Sequence, residues 1–340
     1  MNDRFALCLP REEFDEKRVA DSIKELQREF SGNSFHLHTY MGVYEIRDRD
    51  EAVSIMVDKA NIAADTIKNN YDCCVAYYDE HLLEISIEQR RLLGEFEPAL
   101  QNDEFVMYLQ PQVKRDGAAK GAEALVRWVH PSRGILTPYA FIDILENAGL
   151  IYKLDLYIWE KAAQKLAEWK EKGYGSYHIS VNISTKDFYI IDIYETFTGL
   201  INKYGIAASN LHLEITETTL MTDFEKNMNI IHKLQGVGFR VEIDDFGSGY
   251  SSLNMLKDIS ADVLKIDMGF LRKSENEVKG QDILESIITL AGKIGMDVIT
   301  EGVETKKQLD MLTMMGCHEF QGYYFSKPVP VSEFEEKYLV

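Results

Sequence analysis

The chain has 340 residues, 45% of them hydrophobic and 11% aromatic, enough for a large domain plus a smaller neighbour, and no low-complexity tract marks a disordered segment. Its formal net charge of −19 excludes a sequence-independent grip on nucleic-acid polymers or anionic membranes, which needs clustered Lys and Arg. A small phosphate ester held through metal ions stays compatible with that charge.

Cys8, Cys73, Cys74 and Cys317 have neither disulfide-framework nor zinc-ligand spacing, which fits a reducing compartment. The N-terminal MNDRFALCLPREEF lacks a signal-peptide apolar region, and no apolar run approaches the roughly twenty residues of a membrane span. A cytoplasmic chain, or a piece of a longer one, is expected.

In chain order, Phe5–Pro10 reads as a short strand and Arg11–Phe30 as a helix with Val19, Ile23 and Leu26 on one face. Phe35–Ile46 reads as a strand pair broken near Gly42, Asp50–Asn69 as a helix, and Cys74–Tyr78 as a strand, which makes residues 1–80 a small α+β unit. His36 and His38 alternate on a strand with no third ligand nearby and are read as ordinary strand histidines. His81–Leu100 then suits a linking helix, its end weakened by Gly94 and Pro98. From residue 101 to 340 apolar strands alternate with amphipathic helices, the pattern of an α/β fold, and about 240 residues suit a closed barrel.

Polar residues end or interrupt these strands in order: Glu123 in GAEALVRW, Asn182 in HISVNIS, Glu214 in LHLEITE, Asp244 and Asp245 in VEIDDFGSGYSSL, Lys265 and Asp267 in VLKID, Glu301 in VITEGVE, and Gln321 in EFQGYYF. Adjacent Asp244 and Asp245 followed by Gly247 and Gly249, taken alone, read more readily as a solvated strand exit than as a metal site. The recurrence of such residues in one phase is harder to explain structurally, because inward carboxylates without partners are costly. On one barrel they meet at the C-terminal rim. There Glu123, Asn182, Glu214 and Asp244 offer oxygens for one cation, and Asp244 can bridge to a second held by Asp245 and Glu301, a hard donor set suiting Mg²⁺ or Mn²⁺. Two such metals enable in-line displacement at phosphorus, and Lys265 either holds the attacking water, stabilises developing charge, or neutralises its acidic neighbours.

These motifs, together with Gln110-Pro111 and Asn182–Ser184, make the region from about residue 100 to 340 resemble an EAL domain, named for the Glu-Ala-Leu that stands here as Glu123-Ala124-Leu125. The resemblance implies a TIM-like (β/α)8 barrel with an antiparallel first strand, metal-dependent hydrolysis of cyclic di-GMP to linear pGpG, and a homodimer formed around the DDFGSG turn. It places metal ligands at Glu123, Asn182, Glu214, Asp244, Asp245 and Glu301, the catalytic lysine at Lys265, and second-metal support at Asp267. It gives Glu301 a general-base role as well, sets Gln321 beside the metal waters and substrate, and makes Glu217 the anchor of the DDFG loop. Gln110, Leu125 and Arg127 match dinucleotide contacts, Arg127 toward phosphate and Leu125 against a base. Ser248 departs from the more usual Thr but keeps a hydroxyl.

The first 80 residues resemble the second half of a GGDEF domain. Met1–Phe5, MNDRF, stand where that family carries its Gly-Gly-Asp-Glu-Phe turn, and DEAVSIMVDKANIAADTIKNN resembles its penultimate helix. Asp3 and Phe5 match, but the glycines are lost and Arg4 replaces the acid, so no cyclase activity is expected.

Elsewhere, Met311, Met314 and Met315 are expected in the core, and the C-terminal helix from Ser332 is expected to be a solvated face. His130, His178, His212, His232 and His318 show no HxxxH pattern, and none is expected to bind metal. An active phosphodiesterase is the leading expectation; a catalytically silent cyclic di-GMP receptor and a pure interaction scaffold are the alternatives.

Overall fold

The computed structural model of the chain describes residues 4–30, 39–68, 73–246, 259–269 and 277–339. Contacts divide the chain into two compact units, Met1–Glu95 and Phe96–Val340. No helix among the described residues is long and apolar enough to cross a membrane.

In the first unit, strands β1 (Met41–Val43) and β2 (Val75–Tyr77) pair in parallel beside helices Glu16–Phe30 and Val53–Asp65. Gly42 is required by close packing, since a Cβ there would lie 1.8 Å from the Ala60 carbonyl oxygen. The strand expected at Phe5–Pro10 does not form. No described strand pairs with it, and Phe5, Leu7 and Leu9 stay exposed; an unpaired extended segment has no ladder to hold it. The first helix starts at Glu16 rather than Arg11, after a short turn over Arg11–Glu13. The helix expected to reach Asn69 is assigned to Val53–Asp65. Met1–Asp3, His36, His38 and Gly247–Gly249 lie outside the described residues.

The linking helix runs from Glu80 to Gln101 and continues through Pro98. Tertiary packing outweighs the helix-breaking residue here: Phe96 and Ala99 are buried, and the Phe96 ring meets Phe105 edge-on with centroids 5.7 Å apart.

The second unit is the barrel. Its strands are β3 (Phe105–Lys114), β4 (Ala119–His130), β6 (His178–Ile183), β7 (Leu211–Thr216), β8 (Val241–Asp244), β9 (Val263–Asp267), β10 (Asp297–Glu301) and β11 (Glu319–Phe320). β5 (Gly134–Leu136) extends the β4 edge and β12 (Val329–Pro330) pairs with β3. The first barrel strand, β3, runs antiparallel to both its barrel neighbours, β4 and β11, while every other pair around the barrel is parallel. This is the TIM-like barrel with a reversed first strand.

Period-two alternation divides each strand between two environments. Ile179, Val181, Ile183, Leu211, Leu213, Ile215, Val241, Ile243, Leu264 and Ile266 are the buried apolar set. The intervening positions are polar: His178, Ser180 and Asn182; His212 and Glu214; Glu242 and Asp244; Lys265 and Asp267. Register sets Ser180 beside His212, Asn182 beside Glu214, and Glu214 beside Glu242. Where barrel interiors are ordinarily filled with branched apolar side chains, this one carries a polar column.

Two expectations are corrected. Met314 is 81% exposed, because Leu309 and Leu312 occupy the buried face of helix Lys306–Met314. The C-terminal helix Val331–Tyr338 is only partly solvated: Phe334 is fully buried and stacks on Trp169 at 5.6 Å, and Trp169 Nε1 donates to Glu335 Oε1 at 2.8 Å.

Candidate active site

Four strands deliver carboxylates to one lysine. Lys265 Nζ, on β9, lies 2.7 Å from Glu301 Oε1, 3.0 Å from Glu214 Oε2, 3.4 Å from Asp244 Oδ1 and 3.5 Å from Glu123 Oε2. Lys265 and Glu214 have no exposed surface, and Glu123 has 7%. An ammonium has three protons and one charge, so it cannot satisfy four carboxylates. The shortfall is visible at the atoms: both Glu214 oxygens and Glu301 Oε1 lack an aligned hydrogen bond despite their closeness to Nζ.

Burial opposes the charge on Lys265, yet Asp244, Glu123, Glu214 and Glu301 together hold its pKa well above the usual lysine value. Burial, then the neighbouring Glu123, push Glu214 well above the carboxylate range against the pull of Lys265. Burial pushes Glu301 up to about 8; Lys265 resists the rise while Asp244 and Glu123 reinforce it. Asp245 is raised by burial and by Asp244 and Asp267.

Other predicted residues surround this cluster. Asn182 Nδ2 donates to Glu123 Oε1 at 3.2 Å. Gln321 Nε2 donates to Glu123 Oε2 and, at 3.3 Å, to Gln110 Oε1, while Gln110 Nε2 donates to the Ser326 carbonyl at 3.3 Å. Asp245 follows β8 with φ 56°, and its amide donates to Asp244 Oδ1 at 2.9 Å, which turns two consecutive acids in different directions. Asp267 ends β9 and accepts from the Gly269 amide at 2.6 Å. Leu125 and Arg127 continue along β4 on the same face as Glu123, half-buried and outside the Lys265 contacts. Arg127 lies 5.4 Å from the centre of the Tyr108 ring and donates to the Val126 carbonyl at 2.8 Å. Glu217 opens the short helix Glu217–Thr222 after β7, and the loop it is expected to anchor continues into undescribed residues from Gly247.

Sequence reasoning missed two supports. Buried Trp159 donates from Nε1 to the Asn182 carbonyl at 2.9 Å, and Tyr108 carries Arg127. Trp159 lies on a helix far from any motif, and only its aromatic identity marked it. Tyr108 sits two residues before Gln110 on the same strand face, a period-two signal that was available.

The donor set fits divalent cations. Glu123, Glu214, Asp244, Asp245, Glu301 and the Asn182 amide oxygen are all hard ligands, and the under-satisfied carboxylates call for positive charge beyond Lys265. The EAL domain family matches residues 94–328. This chain is an EAL-domain protein.

The EAL chain is 32% identical over 272 residues to MucR of Pseudomonas aeruginosa, a bifunctional diguanylate cyclase/cyclic di-GMP phosphodiesterase, covering 80% of this chain and 39% of MucR. It is 33% identical over 240 residues to the cyclic di-GMP phosphodiesterase PdeR of Escherichia coli, covering 71% of this chain and 36% of PdeR. It thus spans well under half the length of these curated relatives. The solved PaMucR phosphodiesterase in complex with c-di-GMP superposes with a TM-score of 0.68 at 33% identity, over 72% of this chain and 99% of that one. The EAL enzyme Bd1971 in its cAMP- and cyclic-di-GMP-bound form gives 0.68 at 31% identity, over 74% and 69%.

Proposed function

We propose that the EAL barrel hydrolyses cyclic di-GMP to linear pGpG with two divalent cations, Mg²⁺ or Mn²⁺, held by Glu123, Asn182, Glu214, Asp244, Asp245 and Glu301, with Asp267 supporting the second. The observation that carries this reading is the convergence of four carboxylates from four strands on Lys265, a charge surplus that suits a metal centre. Membership of a family whose relatives include cyclic di-GMP phosphodiesterases supplies the substrate class.

When bound, the cations supply a nucleophilic water near neutral pH and charge stabilisation at phosphorus. The chain's own residues do the rest. Lys265 keeps its proton through neutral pH and presents a fixed positive charge to the reacting phosphate and its water. Gln321 holds one Glu123 oxygen while Asn182 holds the other, so the Glu123 carboxylate cannot rotate freely. With cations bound to hold it ionised, Glu301 would offer a carboxylate oxygen as the general base. Arg127, backed by Tyr108, offers its guanidinium to a substrate phosphate, and Leu125 packs a base. Glu217 anchors the DDFG loop, through whose neighbourhood two chains form a homodimer. The first unit is a degenerate second half of a GGDEF domain with a packing or regulatory role and no cyclase activity.

The deciding experiment is conversion of cyclic di-GMP by the purified chain with Mg²⁺ or Mn²⁺, then with chelator, alongside Lys265→Ala. Metal-dependent pGpG that disappears in the variant is expected. Nucleotide binding without product from the wild-type chain would replace the enzyme with a silent receptor.

A further inference from the structure

Helix Ile151–Glu171 holds the exit of β6 at two points one turn apart. Trp159 Nε1 donates to the Asn182 carbonyl at 2.9 Å, and one turn earlier on the same helix face Asp155 reaches Ser184 and Asp187 in the turn that follows Asn182. That turn closes on itself: the Ser184 amide donates to Asp187 Oδ2 at 2.8 Å, and the Asp187 amide donates to Ser184 Oγ at 3.3 Å. Asp187 opens the short helix Asp187–Ile190 and has no exposed surface.

Two carboxyls therefore meet behind the strand that carries Asn182. Asp155, half-buried, lies within hydrogen-bonding reach of Asp187 and of Ser184. Ionised carboxylates only accept, so two of them cannot bond each other. Asp187 Oδ1 is correspondingly buried with no donor among the described residues. One proton on Asp155 supplies that donor and removes the repulsion between two like charges in contact. The surroundings favour the proton. Glu146, on helix Ile142–Ala148 and itself beside Asp143, adds negative charge, while Lys186 directs its ammonium to the Glu146 carbonyl. Burial, then the charge of Asp187, hold the Asp155 carboxyl well above its ordinary value of 3.8, and burial raises Asp187 against its bonds from Ser184 and Asp155.

We propose that Asp155 and Asp187 share one proton, and that this carboxyl–carboxylate bond acts with Trp159 to fix the β6 exit so that the Asn182 side chain is held at the rim. Both aspartates are positioning residues that act through Asn182. The positioning role rests on the reading of Asn182 as a rim metal ligand; the shared proton does not. Losing the proton leaves two adjacent carboxylates, which push helix Ile151–Glu171 away from the turn that follows Asn182.

The first test needs neither metal nor substrate. The full chain, Asp155→Asn and Asp187→Asn are melted in chelator from about pH 4 to about pH 9. An Asn amide at either position donates the same bond without a titrating proton. The native pair holds a proton that the unfolded chain has released above its ordinary range, so this stability is present at low pH and lost as pH rises through the raised value. The wild-type melting temperature should therefore fall more steeply with pH than that of either variant. Glu214 and Glu301 contribute alike to all three chains and cancel in the comparison. Equal slopes would overturn the shared proton, and either variant alone suffices should the other not fold. The second test is Mg²⁺ binding by calorimetry at neutral pH. Asp155→Ala, which lacks the donor, should bind about 10–100-fold more weakly, and Asp155→Asn should stay within about twofold of the wild type. Unchanged Mg²⁺ affinity in folded Asp155→Ala leaves the pair a stability element alone and sinks the positioning role. A wild-type chain that binds no Mg²⁺ removes the proposed function and the positioning role together, while the pH slopes still decide the shared proton.

Discussion

Lys265 Nζ and Glu301 Oε1 stand 2.7 Å apart in a barrel that leaves the lysine no exposed surface. Removing that ammonium takes away the one side-chain cation that, among the described residues, these four carboxylates share. Lys265→Ala is expected to lower turnover of cyclic di-GMP at least about a hundredfold, as loss of a preorganised charge at a reacting centre does. Lys265→Arg should not restore it, because the planar guanidinium fork cannot occupy the space of a compact ammonium. Chromatographic quantification of pGpG at saturating metal checks both variants, and near wild-type turnover in Lys265→Ala would remove the lysine from the chemistry.

The raised carboxyls make stability depend on pH with a definite sign. Glu301 moves from an ordinary value of 4.5 to about 8 in the metal-free fold, so between those values the native state holds a proton that the unfolded chain has released. Metal-free stability should therefore fall as pH rises from about 4.5 to about 8, by on the order of 1 kcal/mol per pH unit for a single such group. Glu214, raised in the same direction, adds to the slope, whereas Lys265 stays protonated throughout this window. Mg²⁺ replaces protons as the counter-charge, so it should flatten or reverse the slope and bind more tightly toward pH 8. Urea denaturation at several pH values, with chelator and with Mg²⁺, measures this; metal-free stability that rises across the window contradicts it.

The rim of the barrel was legible because its residues recur in phase at successive strand ends. Glu123, Glu214, Asp244, Lys265 and Glu301 each end or interrupt an apolar strand, and a barrel gathers such residues on one rim. The buried pair His212 and Glu242 was not legible. His212 and Glu242 are 30 residues apart, so only register makes them neighbours, and no local spacing announces them. Met314 failed for a different reason: helical spacing groups residues on a face without saying which face is buried, and Leu309 and Leu312 took that place. Phe5–Pro10 has a strand-like composition but no described ladder partner, and composition cannot supply one.

Gly322, immediately after Gln321, passes against the backbone of Val303, where an added Cβ would lie 2.3 Å from the Val303 carbonyl oxygen and 2.4 Å from its nitrogen. Backbone atoms cannot swing away as a side chain does. The Val303 amide also donates to the Gln321 carbonyl at 3.2 Å, so displacement of this segment would carry Gln321 away from Glu123. Gly322→Ala is expected to destabilise the barrel by about 2–4 kcal/mol and to depress turnover in the fraction that remains folded. Thermal unfolding together with activity per folded molecule checks it. An unchanged melting temperature would mean that the close approach is not maintained in solution.

Trp159 tests whether a residue remote from every motif governs the proposed metal centre. Its indole donates to the Asn182 carbonyl at 2.9 Å, and its ring packs on Phe197 with centroids 4.5 Å apart. Trp159→Phe keeps an aromatic ring in the core but deletes the donor, leaving the Asn182 carbonyl to find another partner. The expected stability loss is about 1–3 kcal/mol. A purely structural role would stop there, with the metal requirement unchanged. Since the same bond fixes the backbone from which the Asn182 side chain reaches Glu123, the Mg²⁺ concentration for half-maximal activity should also rise about 10–100-fold. The discriminating measurement is a metal titration of turnover well below the melting temperature of the variant: a right-shifted curve makes Trp159 a positioning residue for the rim, and a superimposable one leaves it a core residue alone.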